Sequence, residues 1–360
     1  MLAATLLAAY VGQALSLVIA LPMSGEESRT AFAGGYFLVI VGTHRTLPTG
    51  PMWPDDTRSF DRPVAPVMMW IARIVPWRHL PGNPKLWLRM PMVLIGLLLL
   101  ISVWTIARRW YGVAGGMIAL ALCSFSLSLV EAGARLEPEI LAAWAVFGAI
   151  FTAMATAHST YAAPGSLSVS RRWNNVPLFA LALGIGMAAL PSFLVPFAGG
   201  LAICLALYLA GGNRARLWNM ARLLLFGIAM AAALVLLIYD FQVHELRLRV
   251  LTVTMTGGPL RWHDLLLPNM WPLLALLAIS FFTWLSQRRH RWFGATAPLI
   301  AALLALATGH PAVAAPFLAL FIAGVFSDLL ETRFRRLWQA TVVALLAAYA
   351  GLSLWLLRQI

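Results

Sequence analysis

Within residues 25–63 the chain carries five of its thirteen carboxylates, Glu26, Glu27, Asp55, Asp56 and Asp61. The same stretch holds four guanidinium groups, Arg29, Arg45, Arg58 and Arg62. A carboxylate can take a proton from an oxygen nucleophile or orient it. An arginine fork can hold two phosphate oxygens at once. Both capacities fall in one segment of a chain in which only 11% of residues are charged. That concentration marks the segment as the working part and the rest as the frame that holds it.

The frame is apolar. Of 360 residues, 61% are hydrophobic, and mean hydropathy is +0.82. Soluble domains sit at about 45–50% apolar and about 25% charged. The excess comes in blocks of about 20 residues, the length of a bilayer-crossing helix. Eleven such blocks are read as spans, at 3–22, 87–107, 113–131, 139–158, 176–190, 192–211, 218–239, 269–286, 294–309, 311–330 and 337–357. The fold expected is therefore an all-α polytopic membrane bundle. A membrane barrel would need alternating strands, which the pattern lacks. Residues 1–23 resemble a signal sequence but have neither a basic start nor an Ala-x-Ala site, so they are read as a retained first span.

A net charge of +13 would suggest nucleic acid in a soluble protein. Here its distribution gives another meaning. One set of loops contains Arg108, Arg109, Arg171, Arg172, Arg214, Arg216, Arg222, Arg288, Arg289, Arg291, Arg333, Arg335 and Arg336, with only Asp328 and Glu331 as acids. The other eleven acids fall in the alternate set. Basic loops face the cytoplasm, so the expected N-terminus is cytoplasmic and the C-terminus outside. Cys123 and Cys204 lie inside apolar runs and read as small core residues rather than a disulfide or metal pair.

The outer side then receives 23–86, 132–138, 240–268 and the tight Gly309-His310-Pro311 turn. The first is too long for a connector. Within it, 30–41 and 64–75 are apolar but too short to span, which suits interfacial helices. The organisation expected is one membrane domain over 1–360, with no separate soluble domain.

Several motifs in this arrangement resemble the GT-C membrane glycosyltransferases, closest to the aminoarabinose transferase and protein mannosyltransferase-like branch. Glu26-Glu27-x-Arg29 after the first span resembles that superfamily's Asp-Glu-x-Arg signature. Phe60-Asp61-Arg62-Pro63 resembles its aromatic-acidic-Lys-Pro motif. Trp87-Leu88-Arg89-Met90-Pro91 and Ala107-Arg108-Arg109-Trp110-Tyr111-Gly112 resemble the two ends of its second span. Glu131-Ala132-Gly133-Ala134-Arg135-Leu136-Glu137 stands where it has a short Ala-Arg-x-Asp/Glu loop. The match runs in order over about residues 1–210.

The resemblance implies transfer of a sugar, with inversion, from a polyprenyl-phosphate donor to a lipid, glycan or protein acceptor. The site would face outward from a bacterial cytoplasmic membrane. In that reading Glu26 is the base, Glu27 orients the site or its neighbours, and Asp61 is a second acidic contact. Arg29 and Arg62 hold the lipid phosphate, with Arg58 and Arg135 as further options. His244 and Glu245, in 240–268, would touch acceptor or sugar. No cofactor is assigned, and transfer is read as metal-independent or weakly metal-linked. A divalent cation between His244 and Asp61 or Glu26 is an option without metal-ligand spacing behind it. Partners would be the lipid-linked sugar, membrane lipids, the acceptor and a membrane protein complex, not nucleic acid.

The chain departs from the pattern in having Glu26 for Asp, Arg62 for Lys, and Leu190-Pro191-Ser192 in place of a Lys-Gly-Pro step. The alternative function is thus a GT-C-fold subunit without catalysis. A transporter would carry ionisable residues at mid-membrane and inverted repeats, which these spans lack.

Overall fold

The computed structural model describes residues 1–24, 27, 30, 66–74, 83–161, 172–190, 194–210, 217–239, 241, 270–286, 296–332 and 334–359. Most of these are helical, with no strand among the described residues. The helices are α1 (Leu2–Ala20), α2 (Pro66–Ile74), α3 (Pro84–Ser124), α4 (Leu127–Ala134), α5 (Glu139–Tyr161), α6 (Arg172–Ala189), α7 (Leu194–Ala210), α8 (Leu217–Ile238), α9 (Trp271–Ser286), α10 (Ala297–Ala307), α11 (Pro311–Leu330) and α12 (Arg335–Leu357). Ten of the eleven apolar segments predicted from sequence each fall on one helix, and the eleventh, 113–131, is divided between α3 and α4 at Phe125–Ser126. Among the described residues, six helices are long and apolar enough to cross a membrane by length and composition. The chain is an all-α polytopic membrane protein.

α3 holds one predicted span and the first part of another. Asn83 opens it, accepting a hydrogen bond from the Lys85 N–H at 3.0 Å, with Pro84 in the first turn. Gly112 then takes φ 76° and ψ −171°, a region that is open to glycine and closed to L side chains. The chain reverses there. Gly116 packs against the backbone of Arg108, and Gly133 comes up to the Met92 carbonyl, pairings that only an antiparallel hairpin produces. Ser327 Oγ donates to the Tyr111 carbonyl at 2.9 Å, occupying an acceptor that the turn strips of its helical partner.

The returning arm breaks again at Phe125–Ser126, inside the apolar layer. Loose carbonyls there must find partners within the protein, since lipid offers none. Gln13 of α1 donates to the Ser124 carbonyl at 3.2 Å, and Tyr349 of α12 donates to the Leu122 carbonyl at 2.9 Å. α1 is held to the hairpin a turn further along, where Tyr10 fits a slot formed by Gly96 and Gly133.

α11 is the central post. It is apolar on every face and buried over nearly its whole length, the pattern of a helix surrounded by others. Its alanines and Gly324 let α3, α5, α9 and α10 approach closely. α10 meets it through a Schellman turn. The Gly309 and His310 N–H groups bond back to the Leu306 and Ala305 carbonyls at 2.9 and 3.0 Å, with Gly309 at φ 76°. α12, by contrast, buries only Val342, Tyr349 and Ser353. α2 confirms a helix within the predicted 64–75 segment. It buries Val67, Met68 and Ala72 and packs on α6. The other predicted interfacial helix, 30–41, lies outside the described residues apart from its position 30, Thr30, which is helical.

The bundle thus has two polar ends. One holds Arg108, Arg109, Asp328, Glu331, Arg335 and Arg336 around the Gly112 reversal. The other holds Glu27, Arg89, Glu131, Arg135 and Glu137. Along the first arm of α3, Arg89 and Arg108 stand about 29 Å apart at 1.5 Å per residue.

Candidate functional site

At the second end, Ser24 and Glu27 form a capping box. The Glu27 N–H donates to Ser24 Oγ at 3.1 Å, and the Ser24 N–H donates to Glu27 Oε2 at 2.9 Å. This reciprocal pair starts a helical turn that includes Thr30. The Ser24-x-x-Glu27 spacing carries this signature, which the functional reading of the acids passed over.

Glu27 turns its carboxylate inward, where it is 1% exposed, against an Arg89 that is fully buried. Arg89 Nε donates to Glu27 Oε1 at 2.8 Å, and Nη2 donates to Oε2 at 2.6 Å. This is the two-pronged geometry that makes arginine–carboxylate pairs strong. The other arginine protons go to α1. Nη1 donates to the carbonyls of Val18 and Leu21 at 2.9 and 3.1 Å, and Nη2 to that of Pro22 at 2.9 Å. All five N–H donors of Arg89 are used. Three of them close the end of α1, where carbonyls are left over and the helix dipole is negative.

Glu27 is equally saturated. The Leu136 N–H donates to Oε1 at 2.7 Å, so each carboxylate oxygen accepts two hydrogen bonds. Burial by itself would push this carboxyl up. The Arg89 fork, the two backbone N–H groups and the nearby positive charge outweigh it and hold the carboxyl below its usual range. Glu27 is therefore a charged, fully engaged node. It joins three parts of the chain: the exit of α1, the entrance of α3 and the loop after α4.

That last loop carries the next layer. Arg135 Nη2 bonds Glu131 Oε1 at 2.9 Å, and Nη1 stands 3.8 Å from Glu137 Oε1. Ser24 Oγ donates to the same Glu137 oxygen at 3.4 Å. Arg135 and its two acids are partly exposed, so unlike Glu27 they remain in reach of a ligand. His310 caps α11 at this end of the bundle. Burial lowers its pKa and favours the neutral imidazole.

Of the residues singled out by sequence, the structure brings Glu27 and Arg135 together at one end, through Leu136. Glu26, Arg29, Arg58, Asp61, Arg62, His244 and Glu245 lie outside the described residues. Among the described residues, no three His, Cys, Asp or Glu side chains converge as metal ligands would. Arg89 is the residue whose role sequence reasoning missed. A lone guanidinium at the start of an otherwise apolar span was the available signal. Nothing in the sequence tied it to Glu27, 62 positions away.

No family model and no curated protein sequence matches the chain. Solved structures do. The chain resembles ArnT from Cupriavidus metallidurans in the apo state, with a TM-score of 0.62 and 15% identity over 98% of this chain and 72% of that one. It also resembles the same protein bound to undecaprenyl phosphate, with a TM-score of 0.59 and 15% identity over 100% of this chain and 72% of that one. The chain shares its fold with these structures.

Proposed function

We propose that this chain is an inverting glycosyltransferase. It moves a sugar from a polyprenyl-phosphate carrier to a lipid, glycan or protein acceptor at the outer face of a bacterial cytoplasmic membrane. The observation that carries this reading is the Glu27–Arg89 node on a fold shared with a protein solved with undecaprenyl phosphate bound. The separation of the polar ends supports the orientation. The end rich in arginine faces the cytoplasm, and the Glu27 end faces outward.

In this reading Glu27 is a positioning residue. Its four acceptor positions are filled, so it has none left for an acceptor's proton. Peptide connectivity keeps Glu26 beside it, with Arg29 two residues on. Glu26 takes the proton from the acceptor oxygen or orients that oxygen as it attacks the anomeric carbon, and Asp61 supplies a second acidic contact. The bond from the anomeric carbon to the phosphate oxygen breaks. Arg29 and Arg62, with Arg58 and Arg135, take up the charge left on the lipid phosphate. His244 and Glu245 contact the sugar or acceptor. The membrane domain works as one unit over 1–360.

The test uses membranes from cells lacking the protein, complemented with wild type, Glu26→Gln, Asp61→Asn or Arg62→Ala. Lipid-linked sugars and glycans are profiled by mass spectrometry. The expected result is a product lost in the deletion and in both carboxamide variants at equal protein levels. If all variants match wild type while the deletion keeps its phenotype, transfer is refuted. A second reading then stands, that of a GT-C-fold subunit without catalysis. The departures at Glu26 and at Leu190-Pro191-Ser192 favour it.

A further inference from the structure

The arginine-rich end contains a cavity of about 400 Å³ between the Gly112 reversal and the start of α12. We propose that it seats the phosphoethanolamine headgroup of a membrane glycerophospholipid, whose acyl chains leave between Val113 and Val343. The floor is Tyr111 and Ser327, both buried. Ser327 Oγ donates its proton to the Tyr111 carbonyl and keeps lone pairs to accept another. The rim carries Glu331, Arg335 and Gln339. Both signs of charge therefore border one cavity of a size that holds a small polar ligand, about 300–1,000 Å³.

Each rim group has a matching feature on that headgroup. Arg335 and Gln339 stand one turn apart on one face of α12, an arginine fork and an amide donor suited to phosphate oxygens. The first turn of α12 has no side-chain cap, and its N–H groups and positive dipole end add to the same preference. Glu331 supplies the anion that a primary ammonium would choose. A glycerol headgroup offers no cation to it.

The surroundings select a lipid over a free phosphate ion. The cavity's lip is apolar, with Val113 and Leu330. Beyond it the ridge of α12 that carries Arg335 and Gln339 runs on to Val343, which is exposed, as Val113 is. In a membrane protein that face meets acyl chains. Headgroup cavity and chain surface are thus continuous, and a soluble ion would use only the first.

The test is native mass spectrometry of the full chain released from nanodiscs that contain phosphatidylethanolamine or phosphatidylglycerol, with inorganic phosphate as a competitor. Arg335 and Glu331 are exposed, so Arg335→Ala and Glu331→Gln leave the core packing intact. Arg358→Ala, at the other end of α12, serves as control. Wild type and the control should retain one phosphatidylethanolamine in preference to phosphatidylglycerol, and millimolar inorganic phosphate should not displace it. Arg335→Ala should weaken retention about tenfold, as loss of a charge-assisted hydrogen bond implies. Glu331→Gln should erase the preference between the two lipids. Equal retention by Arg335→Ala, no preference in wild type, or displacement by inorganic phosphate would each overturn the proposal.

Discussion

Breaking the Glu27–Arg89 pair should cost more than any surface change to this chain. Both side chains are about 1% exposed, so solvent cannot replace a lost partner. Removing one member of a buried pair leaves an uncompensated charge, at about 3–5 kcal/mol. Glu27→Gln should fall at the lower end, because an amide oxygen still accepts from Arg89 and Leu136. Arg89→Met should fall at the upper end, because it also strips the Val18, Leu21 and Pro22 carbonyls of their donor. The double variant Glu27→Gln with Arg89→Met leaves no buried charge. It should therefore be more stable than the sum of the single losses by about 2–3 kcal/mol. Equilibrium unfolding of the purified chain in mixed micelles, followed by tryptophan fluorescence, measures all four corners. Single losses under about 1 kcal/mol, or additive ones, would refute the pairing as the device that closes this end of the bundle. The pH dependence has a definite sign. The folded carboxyl lies below its ordinary range, so its stabilisation is complete above the unfolded value of about 4.3 and fades as pH falls through the folded one. Glu27→Gln should lose that component of the acid limb.

Two further predictions concern the hairpin. Gly112→Ala forces a side chain into a backbone region that only glycine occupies comfortably, so it should cost about 1–3 kcal/mol in the same unfolding measurement. No loss, or a gain like that of an exposed helical Gly→Ala control, would show that the reversal does not depend on it. Gly133→Ala places a methyl against the Tyr10 hydroxyl, for about 1–3 kcal/mol of overpacking. That hydroxyl is buried and has no partner among the described residues. Tyr10→Phe should therefore be neutral or stabilising alone and should restore most of the Gly133→Ala loss. Failure to rescue would place the strain elsewhere.

The sequence and the structure agree where hydropathy does the work. Eleven apolar runs of spanning length must satisfy their backbone internally, and in lipid the helix is the local way to do it. The boundary at Gly112 was legible because a glycine between Arg-Arg-Trp-Tyr and a fresh apolar run marks a turn. The separation of Arg108 and Arg335 from Glu27 and Arg135 was legible because alternate loops carry opposite bias. The motif order that placed Glu26-Glu27 beside the Arg135 loop was likewise readable, and the Leu136 N–H on Glu27 gives that neighbourhood a physical form.

Other features had no local trace. The break at Phe125–Ser126 looks in sequence like any serine step in an apolar helix. It persists because Gln13 and Tyr349, from helices distant in the chain, supply the donors that its carbonyls need. Glu27 looked like half of an acidic pair, and only folding decided that it turns inward to a buried arginine. The headgroup-sized cavity arises from the way α12 leaves α11 beside the Gly112 turn. By itself the sequence determined the helical membrane architecture and its polar ends, because period, length and charge are local properties. Only the tertiary structure decided which charges are spent on holding the frame and which remain exposed to a ligand. That division depends on which long-range partners arrive to fill each donor and acceptor.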